Sequence, residues 1–155
     1  MGVTIATKLI DAVFPPYEQV IPAAPLAQRA TCDRMTFARA IRDTLAAMER
    51  SERPGVVLGF AAGAGRVTRE TDRTHAVSDF PVDFEDDAPD VLDAVAVNGA
   101  YLLDALDGVV ADRVTLSFAN ALGPIRLDGD LRTVHVIMPM REDLQPRHLP
   151  TAAAA

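Results

Sequence analysis

The chain has 155 residues, of which 49% are hydrophobic and 24% charged, the balance of one soluble globular domain. No run reaches the roughly 18 to 20 apolar residues of a membrane helix, and no signal-peptide pattern opens the chain, so we expect a cytoplasmic protein. The net charge of −7 argues against a general nucleic-acid binder but leaves room for a local basic face. The lone Cys32 excludes an internal disulfide.

The first third of the chain predicts an extended lead-in followed by a helix. Prolines in residues 15–22 exclude a long helix there, and residues 23–33 are expected to form a connector with a short strand. A helix is predicted from about Met35 to about Ser51, with Asp33 as its N-cap. Its apolar stripe consists of Phe37, Ile41, Leu45 and Met48.

The middle of the chain predicts a hairpin and an acidic loop. Residues 56–60 and 66–70 are expected to form two strands joined by the turn AAGAG. The proline-marked, acidic segment 79–90 is expected to form a loop with short extended pieces.

The last third predicts a strand, a second helix and three more strands. Asn98 is expected to cap a helix from Gly99 to Asp107, which Gly108 ends. The strands are predicted at 94–97, 112–118, 123–128 and 131–138, and residues 143–155 are expected to be a disordered tail. Many short strands with two helices indicate an α+β fold in which antiparallel sheets carry both helices on one side.

Local motifs for catalysis or metal binding are missing from the sequence. His75, His135 and His148 have no close Cys or His partner at metal-ligand spacing. No serine stands in a GxSxG motif, and Cys32 has no nearby histidine. We therefore expect no catalytic residue, no metal and no cofactor, with an enzyme of unidentified type as an alternative.

A structural interpretation is favoured for three further features of the sequence. Gly59, Gly63 and Gly65 favour a hairpin turn over a phosphate-binding loop, because no GK[ST] follows and a strand comes next. For His135, which stands between Val134 and Val136 in a predicted strand, an outward-facing position is favoured. A solvated loop is favoured over a cation site for the acidic group Asp79, Asp83, Glu85, Asp86, Asp87 and Asp90.

Four segments carry a family resemblance. The segment VHVIMPMR (134–141) resembles the C-terminal end of the beta sliding clamp of bacterial DNA polymerase III, and TKLIDAVFPPYEQVIP (7–22) resembles the junction of that clamp's second and third domains. VAVNGAYLLDAL (95–106) and the segment from Phe37 to Phe60 are similar to helices and strands of the third domain. The resemblance covers roughly residues 5–142.

The resemblance implies a fold and a domain organisation. A DNA clamp domain has two pseudo-symmetric halves, each with one helix and a mostly antiparallel sheet. Residues 1–22 would be a lead-in and residues 23–142 the clamp third-domain-like unit. The resemblance also implies head-to-tail assembly of about six such domains into a ring, with Leu45 and Met48 near the interface, or a partnership with a full-length clamp.

The resemblance further implies half of an apolar pocket that docks short peptides of polymerase, clamp-loader and repair proteins. Gln19 departs from the family, which often has a basic residue there, and core packing is the alternative role for Val136 and Met138. The matching positions are Pro15, Gln19, Val20, Asn98, Tyr101, Leu122, Pro124, Val136, Met138, Pro139, Met140 and Arg141.

A cationic sector of the first helix is expected to face double-stranded DNA weakly and without sequence preference. Arg39, Arg42, Arg50 and Arg53 fall within about 80° of helical arc, away from the apolar stripe. A solvated face is the alternative, because Asp43 stands four residues after Arg39.

The function implied is therefore a processivity and scaffold role in DNA replication. A truncated or mobile-element clamp copy that titrates partners, or that is inactive, is the alternative.

Overall fold

The chain forms two four-stranded antiparallel sheets. This computed structural model describes residues 2–8, 11–23, 26–48, 53–61, 63–84, 91–129 and 133–141. A short 3₁₀ turn, Tyr17–Val20, precedes the sheets. The strands and helices are β1 (Gln28–Asp33), α1 (Arg34–Ala46), β2 (Gly55–Ala61), β3 (Ala64–Glu70), β4 (His75–Pro81), β5 (Val91–Asn98), α2 (Gly99–Asp107), β6 (Arg113–Phe118), β7 (Ile125–Asp128) and β8 (Val134–Ile137). The expected α+β fold is confirmed.

Each half of the chain repeats the order strand, helix, strand, strand, strand, and the halves exchange their first strands. The sheet orders are β1-β6-β7-β8 and β4-β3-β2-β5. β1 therefore pairs with the second half, where Cys32 lies opposite Val114, and β5 pairs with the first half, where Val97 lies opposite Val56. Neither half has a complete sheet without the other.

Equivalent backbone hydrogen bonds tie the two sheets together at both ends. Thr31 N donates to Asp83 O at 3.0 Å, and Asp83 N donates back to Thr31 O at 2.8 Å. In the other half, Met140 N donates to Ala96 O at 2.7 Å. Thr31 and Ala96 each stand two residues before a helix N-cap, so the links have the same place in both halves.

Both helices begin at a polar cap at the end of an exchanged strand. The Asp33 carboxylate accepts from Thr36 N at 2.7 Å, and Asn98 Oδ1 accepts from Ala100 N at 3.0 Å and Tyr101 N at 3.3 Å. These bonds satisfy amides that have no partner inside the first helical turn. The predicted caps are confirmed, and α2 has the predicted limits.

An aromatic cluster fills the space between α1 and the sheets. The Phe37 and Phe80 ring centroids are 4.7 Å apart, and Phe60 lies 6.3 Å from both Phe80 and Phe118. All four side chains are buried. Cys32 is buried beside this core, and burial, helped by the Asp33 carboxylate, raises the pKa of its thiol to about 12.

The predicted end of the first helix is wrong by about one turn. α1 ends at Ala46, where Met48 N donates to Leu45 O at 3.1 Å in a tightened last turn. The Leu45 side chain lies against Gly99, the first residue of α2. The next strand, β2, starts at Gly55, and the carbonyl of the preceding Pro54 accepts from Gly99 N at 2.7 Å.

The segment 79–90 contains a short extended piece, as predicted, but residues 79–81 are the end of a longer strand, β4, which was not predicted. β4 pairs with β3 along its whole length, and Arg66 and Asp79 form a two-point ion pair across the strands at 2.6 and 3.0 Å. This is an edge strand with a largely exposed pattern, so it lacks the apolar alternation of a half-buried strand. Residues 85–90 lie outside the described part.

Gly65 is required by the close approach of β3 to the Phe80 ring. A Cβ at this position would lie 2.6 Å from Phe80 Cε2. We expect Gly65→Ala to lower the free energy of unfolding by about 1–3 kcal/mol, because the ring must leave its place in the core. Urea denaturation measures the change.

The matched control for this prediction is Gly2→Ala, where an added Cβ meets nothing within 4 Å. The double variant Gly65→Ala/Phe80→Leu should recover part of the stability that Gly65→Ala removes. If Gly65→Ala and Gly2→Ala unfold at the same urea concentration, this account of the core is wrong.

Candidate functional site

A cavity of about 670 Å³ lies between α2 and β8. It is mostly apolar at its wall and carries few polar groups, as small-ligand and peptide sites do. The lining residues are Asn98, Tyr101, Asp104, Ala105, Val134, His135, Val136, Ile137, Met138 and Met140.

One face of α2 forms the first wall of the cavity. Tyr101, Asp104 and Ala105 are three and four residues apart, so they share a helix face. Leu102 and Leu106, on the other face, are fully buried in the core and anchor the helix. The Tyr101 side chain is 65% exposed, so its ring is accessible to a ligand.

β8 and the residues after it form the second wall. Ile137 lies opposite Ile125 and His135 lies opposite Leu127, and both partners on β7 are fully buried. After β8 the chain crosses to the other sheet, where Met140 N bonds Ala96 O. Met138 stands at this crossing and is 64% exposed, so a flexible apolar side chain is presented at the opening.

The expected outward position of His135 is wrong. Cross-strand partners in an antiparallel sheet share a face, so His135 lies on the inner face with Leu127. Its ring lies against Gly108, where a Cβ would be 2.9 Å from His135 Cε1. Its Nε2 atom is buried and has no hydrogen-bond partner among the described residues.

The structure brings five of the predicted pocket residues together. These are Asn98, Tyr101, Val136, Met138 and Met140. The other predicted residues are not in the cavity lining: Pro15, Gln19, Val20, Leu122, Pro124, Pro139 and Arg141. A contact of these seven with a ligand stays a prediction.

The lead-in segment nevertheless ends close to the second wall. Arg126 Nη1 donates to Pro22 O at 3.1 Å, and Arg126 lies opposite Val136 in the strand register. Val20, two residues earlier, is 60% exposed. The segment thus ends beside β7 and β8, and none of its described residues lines the cavity.

Sequence reasoning missed half of the lining. The missed residues are Asp104, Ala105, Val134, His135 and Ile137. The spacing of Asp104 and Ala105 from Tyr101 on a predicted helix was a usable signal. No local signal indicated that the inner face of β8 would reach the cavity.

The predicted cationic face of α1 is partly neutralised. Arg39 Nε lies 3.6 Å from Asp43, and Arg42 lies 3.3 Å from Asp107 of α2. The Arg39 side chain is 83% exposed, and such exposed pairs are weak, so it remains available to a phosphate. Arg53 is exposed but lies beyond the end of α1, so its predicted place on the helical sector is wrong, and Arg50 lies outside the described residues.

The two predicted interface residues, Leu45 and Met48, are half-buried. A Cβ on Gly99 would lie 3.2 Å from each Leu45 Cδ atom, so part of Leu45 already packs within the chain. A role for these residues in assembly stays a prediction.

The described residues contain no cluster of three or more His, Cys, Asp or Glu side chains that could hold a metal ion. Within the same ranges, neither helix has the length and apolar character needed to cross a membrane.

Comparison with known proteins gives one consistent set of relatives. The chain is 28% identical over 141 residues to the beta sliding clamp of Pseudomonas putida, covering 89% of this chain and 37% of that protein. It is 29% identical over 142 residues to the beta sliding clamp of Caulobacter vibrioides, covering 88% of this chain and 36% of that protein. No protein-family model matches the chain.

Solved structures show the same fold. The beta sliding clamp of Caulobacter crescentus matches with a TM-score of 0.76 at 26% identity, over 86% of this chain and 35% of that one. The DNA polymerase III subunit beta of Pseudomonas aeruginosa matches with a TM-score of 0.76 at 23% identity, over 86% of this chain and 36% of that one. The chain thus spans little more than a third of the length of these relatives.

Proposed function

Since the homologues of this chain are beta sliding clamps and the match has the length of one clamp domain, we propose that it is a clamp-type binding domain with a scaffold role in DNA replication. In this role it binds short peptides of polymerase, clamp-loader and repair proteins inside the cell and catalyses nothing. It also faces double-stranded DNA weakly.

The cavity between α2 and β8 is the observation that carries the proposal. Its exposed Met138 and Tyr101 combine an adaptable thioether with a flat ring that has a polar end. Such side chains suit a site that accepts several related peptides. The lead-in segment does not complete the wall, so a peptide buries less surface here than in a closed groove and we expect weak binding.

Peptide binding is tested with Tyr101→Ala and Met138→Ala. We expect each variant to weaken binding of a short peptide, with glutamine first and leucine near its end, by about tenfold, the factor that corresponds to ~1.4 kcal/mol. Fluorescence anisotropy of the labelled peptide measures the affinity.

Val110→Ala is the matched control, because Val110 is 85% exposed and outside the cavity lining. It should bind the peptide as the unmodified chain does. A peptide that binds the unmodified chain and both cavity variants equally well does not use this cavity, and the proposed site is then wrong.

The DNA-facing role rests on the exposed guanidinium groups of Arg39 and Arg42. We expect Arg39→Gln/Arg42→Gln to weaken binding to a duplex of any sequence. The slope of log K against the logarithm of salt concentration should become shallower by about 0.9 for each phosphate that the variant no longer neutralises. Anisotropy of a labelled duplex over a series of salt concentrations measures both quantities.

The opposite variant, Asp43→Asn/Asp107→Asn, removes the carboxylates that pair with these arginines and leaves the arginines in place. It should strengthen duplex binding. If neither variant changes duplex affinity at low salt, α1 does not face DNA.

Oligomeric state separates a working ring from a titrating module, which is the second candidate function. We expect sedimentation velocity of the full chain to show a species of about six copies that stays on circular DNA and leaves linear DNA. A monomer that still binds the peptide supports the titrating module. A monomer that binds neither peptide nor DNA contradicts both functions.

A further inference from the structure

His135 stands out because it is the polar side chain on the otherwise apolar inner face of β8. Leu127 and Ile125, the partners of His135 and Ile137 on β7, are fully buried, so this face belongs to the core. His135 also lines the cavity proposed to bind peptide. The imidazole therefore lies between the core and the proposed ligand site.

The imidazole of His135 has a buried nitrogen, Nε2, without a hydrogen-bond partner among the described residues. Buried polar atoms in folded proteins are nearly always paired, because leaving one unpaired costs its full desolvation. Contact between Nε2 and a ligand requires the ring to turn about χ2, which is a broad torsion in histidine, and the neighbouring Gly108 has no side chain to block this movement.

The other polar groups of the cavity limit which ligand groups can form a hydrogen bond with His135 Nε2. Asn98 Oδ1 already accepts from two amides of α2. Asp104 is the acidic residue of the lining; it is exposed, and its negative charge disfavours a carboxylate. A neutral carboxamide or hydroxyl both donates and accepts, so it pairs with Nε2 in either imidazole tautomer.

We propose that His135 is a specificity-determining residue of this cavity, which selects a peptide side chain with a neutral hydrogen-bonding group over an aliphatic one of the same shape. This inference rests on the proposed peptide binding. A site with a buried hydrogen-bonding group strongly rejects a ligand that leaves this group unpaired. An apolar wall distinguishes far less between two ligands of the same shape.

The test is a coupling measurement with matched peptides and matched variants. Each apolar residue of the glutamine-first peptide is changed in turn from leucine to asparagine, which has the same branched shape. His135→Phe keeps a flat ring but has no hydrogen-bonding atom, and His135→Gln keeps a side-chain amide near the place of Nε2. Anisotropy gives the ratio of leucine-peptide to asparagine-peptide affinity for each protein.

We expect one peptide position at which the leucine-to-asparagine change weakens binding at least about tenfold more for His135→Phe than for the unmodified chain. His135→Gln should restore most of the tolerance for asparagine. Equal ratios for the unmodified chain and His135→Phe at every position overturn the inference and leave the proposed function intact. A peptide that does not bind the unmodified chain at all overturns the proposed function, and the inference with it.

A second readout does not depend on the folding of any variant. In the unmodified chain, the ¹⁵N resonance of His135 Nε2 should shift when the asparagine peptide binds and stay in place when the leucine peptide binds. The same shift with both peptides would show that the ring nitrogen does not contact the ligand side chain, and the inference would be wrong.

Discussion

The exchange of first strands between the two halves is the constraint on which the rest of the structure depends. β1 completes the sheet of the second half, and β5 completes the sheet of the first. The backbone bonds of Thr31 with Asp83 and of Met140 with Ala96 close the exchange at equivalent points. Neither half can bury its apolar face alone, so we expect the two halves to fold as one cooperative unit.

This exchange also builds the cavity. β5 ends at Asn98, which caps α2, so the strand that crosses to the first half sets the position of the helix that forms one wall. β8 and the residues after it form the other wall, and the bond from Met140 N to Ala96 O ties this stretch to β5. The same few bonds therefore hold the fold together and hold the two walls at a fixed separation.

The charged surface follows from contacts between the helices. Arg42 of α1 meets Asp107 of α2, so the cationic sector of one helix is balanced by the acidic end of the other. Arg39 of the same helix lies 3.6 Å from Asp43, so both arginines of the cationic sector that lie on α1 have an acidic neighbour. The proposed contact of this surface with DNA would therefore be weak and salt-dependent.

The sequence by itself determined the local elements and the family resemblance. Asp33 and Asn98 were identifiable as caps because each places a side-chain oxygen directly before an apolar helical stripe, where it can accept from the first amides of the helix. The motif around Met138 indicated the clamp relatives. Tertiary structure decided the strand exchange, the edge strand β4, the end of α1 and the inward position of His135. These depend on which strands pair, such as β1 with β6, β4 with β3 and β8 with β7, and the local periodicity of a sequence does not specify those pairings.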